Sequence, residues 1–187
     1  MYQKNFKYPD TKAHEFVIAR LAKRGVSLDE LAKLVYETQK DFELGLTLEE
    51  CKKDVNDVMH KRELLNNAMV MLELDRLTEE GKVASPLAEI IENDSGVFGV
   101  DETLALQIAN IYGTIGATNF GYFDRVKSGI IKKFDTSPEH VNTFIDDLLA
   151  AIVAATCGKI AHTYALSLFF LLETANNRYV VMLYYFY

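Results

Sequence analysis

Apolar residues recur every three or four positions through the first half of the chain, which is the spacing of amphipathic α-helices. The clearest stripes are Leu28, Leu31, Leu34 and Val35, and then Leu65, Met69, Leu72 and Leu74. Each stripe predicts a helix that buries one face against a core. Residues 1–95 show this packing pattern and no group that we would assign to chemistry.

Residues that favour helix ends divide this half into separate helices. Two pairs have the spacing of a capping box, namely Ser27 with Glu30 and Thr47 with Glu50. The stretch that follows Thr47 is long for one helix, so we expect a break near His60 and a stop at Gly81. Ser85-Pro86 predicts the start of a further short helix.

The second half predicts a different set of elements. Residues 100–112 predict a helix. The following GTIGATNFGYFD has three glycines and an asparagine in nine positions, which predicts a loop or a tight helix junction. RVKSGIIKKFD predicts a short or broken helix. Ser137-Pro138 predicts the start of a last long helix that runs to His162.

That last helix contains eight consecutive apolar residues, from Leu148 to Ala155. A helix that is apolar on all sides is normally buried on all sides, and eight residues are too few to span a bilayer, which needs about 20. With 187 residues, three prolines and ten glycines, the chain fits a single domain over residues 1–187. We therefore predict an all-α multihelical bundle, with one buried central helix surrounded by the others.

Charge and cysteine content limit the possible partners and location. The net charge is −7, and no run of lysine or arginine could follow a phosphate backbone, which argues against nucleic acid. Cys51 and Cys157 form no C-x-x-C pair, so we expect reduced thiols in a cytoplasmic protein. The N-terminal residues MYQKNFKYPD lack the apolar core of a signal peptide.

Acidic residues beside apolar helices are the candidate chemical groups. Asp146 and Asp147 directly precede the apolar run, where adjacent carboxylates repel each other and lose hydration. A bound cation would relieve both effects. Asp101-Glu102 forms a second acidic pair, and a hard cation such as Mg²⁺ prefers carboxylate oxygens and phosphate.

Each acidic residue also has a purely structural interpretation. Asp101 could cap a helix and Glu102 could interact with its dipole. Asp124 and Lys127 are three residues apart, the spacing of a surface ion pair. Asp135 could simply end a helix. Other catalytic patterns, including those of cysteine phosphatases, aspartyl-phosphate enzymes, zinc peptidases and P-loop proteins, do not occur in the sequence.

Three segments resemble the conserved blocks of the phosphatidylglycerophosphatase A family: VDETLALQIANIYG, FGYFDRVKSGIIKKFD and FIDDLLAAI. The resemblance covers residues 99–155. The family has an acidic D-E pair, a segment F-x-x-x-D-x-x-K-P-x-P-I-x-x-x-D, and a D-D-x-x-A-G block. The matching positions here are Asp101, Glu102, Phe120, Asp124, Lys127, Ile131, Asp135, Asp146, Asp147 and Ala150.

Departures from these blocks place the chain near a soluble, multihelical branch of the family. The glycine- and proline-rich P-G-T-x-G-S motif of membrane-bound members does not occur, and K-P-x-P is replaced by KSGI at residues 127–130. Ala151 stands where the last glycine of D-D-x-x-A-G would be. Transmembrane segments are not expected.

The resemblance implies Mg²⁺-dependent removal of the terminal phosphate of phosphatidylglycerophosphate, in phospholipid metabolism. It implies metal ligation by Asp101, Glu102, Asp146 and Asp147. Lys127 would pair with a phosphate oxygen, and Asp124 would orient Lys127 or a water molecule on the metal.

Two alternatives remain open from the sequence. The first is a phosphatase for a small soluble phosphomonoester. The second is a non-enzymatic helical domain with structural carboxylates, which acts through protein partners or self-association. The apolar tail, residues 164–187, predicts either a final packed element, a homo-oligomer or peripheral membrane contact, or an extension with little order.

Overall fold

The computed structural model describes residues 5–42, 45–137 and 140–175, and only the backbone over residues 166–175. The described residues form nine α-helices and one 3₁₀ turn, without a β-strand. The helices are α1 (Asp10–Lys23), α2 (Leu28–Gln39), α3 (Leu48–Met59), α4 (Arg62–Glu79), α5 (Leu87–Glu92), α6 (Val100–Ala109), α7 (Thr114–Val126), α8 (Gly129–Asp135) and α9 (Ile145–Ala175), and the 3₁₀ turn is Asn110–Tyr112. The all-α prediction is confirmed.

The predicted capping boxes define the starts of α2 and α3. The Ser27 hydroxyl accepts a hydrogen bond from the backbone N–H of Glu30, whose carboxylate accepts from the Ser27 N–H. Thr47 and Glu50 make the same reciprocal pair. The expected break near His60 is also confirmed, since α3 ends at Met59 and α4 begins at Arg62.

Helix α9 is the buried centre of the bundle, as predicted. Every residue from Leu148 to Ala155 is fully buried. Helices α2, α3, α4, α6, α7 and α8 all pack against α9. A central position requires a helix that is apolar on all sides, and this explains why its sequence lacks a polar face.

Because α9 is long and apolar, part of it also has the length and hydropathy of a membrane-spanning helix. Within the described part of the chain, Ile145–Ala165 is the segment long and apolar enough to cross a bilayer, with a mean hydropathy of 1.3. The core helix of a soluble protein meets the same criterion, and 67% of the apolar window is buried inside this fold.

Of the two alternatives predicted for residues 113–124, a loop or a tight helix junction, the loop was wrong, because Thr114–Val126 is helix α7. Gly113 does form a turn, with a φ of 78°. Gly116 instead permits close packing, since a Cβ there would lie 2.0 Å from the carbonyl oxygen of Ala109. Opposite it on α9, a Cβ on Gly158 would lie 3.2 Å from the backbone nitrogen of Gly116. Gly116 therefore lets α7 approach the end of α6, and Gly158 lets α9 approach α7.

The predicted start of the last helix at Ser137-Pro138 was also wrong, because α9 begins at Ile145. The residues just before α9 form tertiary bonds instead; for example, the Thr143 hydroxyl donates to the carbonyl oxygen of Ile91 at 2.6 Å. At the other end α9 continues past His162 to Ala175. The tail therefore begins as part of α9, and the rest of the tail prediction falls on residues 176–187, outside the described residues.

Candidate metal centre

Two helices supply the acidic pairs, and each pair lies in the first helical turn. Asp101 and Glu102 follow Gly99, whose left-handed backbone (φ 66°) precedes α6. Asp146 and Asp147 are the second and third residues of α9. Carboxylates in a first turn interact favourably with the positive end of the helix dipole, so both placements are locally stable.

The fold brings three of these carboxylates together across 45 residues of sequence. Asp101, Glu102 and Asp147 each offer one oxygen, and the three oxygens lie within 4.8 Å of one another. Asp101 is 6% exposed and Asp147 is 3% exposed. Such close packing of buried carboxylates requires a shared proton or a cation.

Two carboxylate oxygens in this group lack a hydrogen-bond donor among the described residues. Asp101 Oδ1 and Glu102 Oε2 are buried and have no hydrogen-bond partner among the described residues. Buried polar atoms are normally satisfied, and an ionised carboxylate can only accept. Oxygen ligands of this type suit a hard divalent cation.

The pKa values of Asp101 and Glu102 are shifted in opposite directions. Burial, together with the hydrogen bond and charge of Glu102, raises the pKa of Asp101 to about 8. The hydrogen bond with Asp101 lowers the pKa of Glu102. The two neighbouring carboxyl groups therefore favour one shared proton when no cation is bound.

Lys127 supplies a positive charge beside this group. It ends α7 in a left-handed backbone conformation, with a φ of 46°. Its side chain is 20% exposed. The Nζ atom lies 2.8 Å from Asp146 Oδ2, 3.3 Å from Asp147 Oδ1, 3.1 Å from Asp124 Oδ1 and 3.9 Å from Asp135 Oδ1. Burial opposes its charge, but the bonds to these carboxylates outweigh burial and raise the pKa of Lys127.

The two aspartates of α9 have different surroundings. Burial and the charge of Asp146 together raise the pKa of Asp147 to about 7, although the charge of Lys127 opposes the shift. Burial also raises the pKa of Asp146, although the bond from Lys127 opposes that effect. Asp147 thus contacts both Lys127 and the Asp101–Glu102 pair, whereas Asp146 bonds to Lys127 and lies outside the three-oxygen group.

The structure therefore divides the sequence-predicted residues into two neighbouring sets. The candidate metal group consists of Asp101, Glu102 and Asp147. Asp146 instead forms an ion pair with Lys127. Asp124 bonds to the same ammonium from a more exposed position, with 43% of its side chain exposed. The ion pair expected from its spacing to Lys127 exists, but it is part of a larger cluster.

Sequence reasoning missed one nearby carboxylate. Asp94 precedes α6 in a left-handed conformation with a φ of 44°. Burial raises the pKa of Asp94, and the charges of Lys127, Glu102 and Asp135 also act on it. No local pattern in the sequence around Asp94 indicated this, because Lys127 and Asp135, which act on it, come from distant parts of the chain.

Comparison with known proteins places this arrangement in a family. The sequence profile of the phosphatidylglycerophosphatase A family matches residues 17–162. The chain is 40% identical over 158 residues to YpjQ of Bacillus subtilis, across 84% of this chain and 89% of YpjQ. It is 45% identical over 145 residues to YutG of the same organism, across 77% of this chain and 87% of YutG. Both relatives are described as uncharacterised.

Solved structures show the same fold. The crystal structure of YpjQ has a TM-score of 0.79 at 39% identity, over 84% of this chain and 98% of YpjQ. The low temperature requirement C protein of Listeria monocytogenes has a TM-score of 0.78 at 42% identity, over 82% of this chain and 97% of that protein. On this match of sequence and fold, the chain belongs to the phosphatidylglycerophosphatase A family.

Proposed function

We propose that this protein is a Mg²⁺-dependent phosphatase that hydrolyses the terminal phosphate of phosphatidylglycerophosphate. Family membership supports a phosphatidylglycerophosphatase-like role. The observation that carries the proposal is the convergence of Asp101, Glu102 and Asp147 within 4.8 Å, beside the ammonium of Lys127. Two of the buried oxygens have no hydrogen-bond partner within the described residues, which leaves them available to a cation.

The metal would be held by Asp101, Glu102 and Asp147. All three offer hard oxygen ligands, and Mg²⁺ is typically bound by a few carboxylates together with phosphate oxygens of the substrate. A bound divalent cation supplies charge stabilisation to the phosphoryl oxygens during hydrolysis. Asp146, the fourth ligand that the resemblance implies, is more directly committed to Lys127 at 2.8 Å.

Lys127 would bind the phosphate of the substrate. The surrounding carboxylates hold its side chain in place and keep it protonated, because they raise its pKa. A phosphate oxygen is an acceptor that an ammonium can bind while its other two donors stay on aspartates. Asp124 is the more exposed of these partners, and we assign it the role of orienting Lys127 toward the opening of the site.

The substrate would present a phosphorylated head group. A small soluble phosphomonoester has the same terminal phosphate, so only a direct comparison separates the two. We also propose a cytoplasmic location, which the two buried free thiols Cys51 and Cys157 support. Contact with a membrane surface and self-association through the tail stay predictions.

Phosphate release tests the proposal directly. We expect release from phosphatidylglycerophosphate in mixed micelles with Mg²⁺, little release with EDTA, and slower release from glycerol 3-phosphate. Asp147→Asn should lose activity. Asp57→Asn is the matched control, because Asp57 also accepts from a partly buried lysine, Lys159, at 2.6 Å, outside the candidate centre.

Three outcomes would contradict parts of the proposal. Activity that survives EDTA would remove the metal. Faster release from glycerol 3-phosphate would favour the soluble phosphomonoester as substrate. No release from either compound, with a folded protein, would favour the non-enzymatic alternative.

A further inference from the structure

Asp75 is a buried carboxylate that neither the metal group nor the Lys127 cluster includes. It lies on α4, has no exposed surface, and directs both oxygens at the start of α9. Asp75 Oδ1 accepts from the backbone N–H of Phe144 at 3.2 Å, and Oδ2 accepts from the backbone N–H of Ile145 at 3.1 Å. These are amide groups that a helix start leaves without partners inside the helix.

The cap on α9 is therefore supplied by another helix, about 70 residues away in sequence. Helices α2 and α3 instead take their caps from the residue directly before them, Ser27 and Thr47. A local cap fixes only where a helix begins. A cap from α4 also fixes where the start of α9 lies relative to the rest of the bundle.

Neighbouring bonds hold the same segment from two more directions. Arg24, which directly follows α1, donates through Nη2 to the carbonyl oxygen of Val141 at 3.1 Å. Thr143 donates to the carbonyl oxygen of Ile91, on α5, at 2.6 Å. Asp75 is the member of this set that bonds directly to the first turn of α9.

The position of that turn sets the geometry of the candidate centre. Asp146 and Asp147 are the two residues after Ile145, so a shift or rotation of the turn moves both carboxylates. Each residue rotates about 100° around an α-helix, so a rotation of the turn would change both the bonds to Lys127 and the approach of Asp147 to the Asp101–Glu102 pair. An error of about 1 Å in a site of this kind is enough to disrupt its chemistry.

We propose that Asp75 is a positioning residue, which caps α9 from α4 and so fixes Asp146 and Asp147 relative to Lys127 and the Asp101–Glu102 pair. A buried carboxylate is expensive to maintain, and a role in placing the site gives a reason for it beyond helix capping. The effect on metal binding rests on the proposed function; the effect on the geometry of α9 does not.

The test uses two substitutions at Asp75 and, as a control, one substitution at the cap of another helix. Asp75→Ala removes both acceptors. Asp75→Asn keeps the shape and one carbonyl oxygen, and stays informative if the alanine variant does not fold. Thr47→Ala is the control, because it removes a helix cap on α3, away from the centre.

Mn²⁺ binding, measured by electron paramagnetic resonance on folded protein, reports on the assembled carboxylates independently of activity. We expect Asp75→Ala to bind Mn²⁺ about tenfold or more weakly, as when other residues that orient metal ligands are replaced. Asp75→Asn should fall between that variant and the wild type. Thr47→Ala should bind as the wild type does, although it lowers stability.

Backbone amide hydrogen exchange at residues 144–148, measured without metal, reports on the helix start itself. Both Asp75 variants should exchange faster there, and Thr47→Ala should not. Wild-type Mn²⁺ affinity in both Asp75 variants would overturn the positioning role and leave a simple cap. If the wild type binds no Mn²⁺, the proposed metal fails, and unchanged exchange in the Asp75 variants would then overturn the positioning role as well.

Discussion

Lys127 and Asp146 form a nearly buried ion pair, with 2.8 Å between Nζ and Oδ2 and only 8% of the aspartate side chain exposed. This pair compensates the charge of one of two adjacent aspartates. Asp147, 3.3 Å from the same ammonium, also contacts the Asp101–Glu102 pair. Both adjacent aspartates thus bond to Lys127, and of the two it is Asp147 that also belongs to the candidate metal group.

Metal should stabilise the native state. A free metal concentration about 100 times the Kd stabilises a protein by about 2.7 kcal/mol, which for a chain of this size raises Tm by about 5–10 °C. Differential scanning calorimetry with MgCl₂ or MnCl₂ against EDTA measures this shift. Asp147→Asn should abolish the shift and Asp57→Asn should keep it. The same Tm in metal and in EDTA, for the wild type, would contradict the site.

The contribution of Asp147 to stability without metal should fall as pH rises from about 4 to about 7. The pKa of Asp147 is raised from 3.8 to about 7 in the fold, so the native state holds a proton that the unfolded chain has already released. The native state is therefore favoured below pH 4 by this group, and that contribution is lost through pH 7. Urea denaturation in EDTA at several pH values measures the slope.

Replacement of Asp147 should reduce that slope, because asparagine does not titrate. Mn²⁺ affinity should change in the opposite direction and increase as pH rises through about 7, since the metal binds the ionised carboxylate. A slope of the same size in Asp147→Asn would assign the pH dependence to other groups.

Lys127 and Asp147 should affect different kinetic constants. Lys127→Ala should raise KM by about tenfold or more, because a charged hydrogen bond to phosphate is lost in both the ground and transition states. Asp147→Asn should mainly lower kcat, because the metal acts on charge that develops during the reaction. Steady-state kinetics in saturating Mg²⁺ separates the two.

Lys159→Ala is the matched control for Lys127→Ala. Lys159 has a similar exposure, 18% against 20%, and also bonds to two aspartates, Asp54 and Asp57. Its position on α9 is 12 residues after Asp147, about 18 Å along the helix. Equal kinetic losses in the two lysine variants would indicate a general effect of stability.

Gly116 should be intolerant of a side chain, whereas Gly121 on the same helix should not. A Cβ at Gly116 would lie 2.0 Å from a backbone oxygen, while Gly121 has open space around it. We expect Gly116→Ala to lower the free energy of unfolding by about 1–3 kcal/mol. Gly121→Ala should raise it by about 0.5–1 kcal/mol through helix propensity. Urea denaturation measures both, and similar changes in the two variants would contradict close packing at Gly116.

The sequence alone determined the helices whose signals are local. The capping boxes at Ser27 and Thr47 and the apolar run from Leu148 to Ala155 predicted two helix starts and the central helix, because their interactions lie within a few residues or follow from burial on all sides. The acidic pairs were also recognisable, since adjacent carboxylates beside apolar residues need a partner.

Tertiary structure decided the features that depend on distant residues. Gly116 and its neighbours suggested a loop or a tight junction, but in the fold Gly116 lies in α7 and allows close contact with Ala109 of α6. The sequence does not distinguish a glycine in a loop from one at a helix contact. The start of α9 was misplaced because its cap, Asp75, comes from α4. The position of Asp94 near the site, and the proximity of Asp147 but not Asp146 to the Asp101–Glu102 pair, follow from which helix faces pack together. Only the folded chain determines which charges become neighbours.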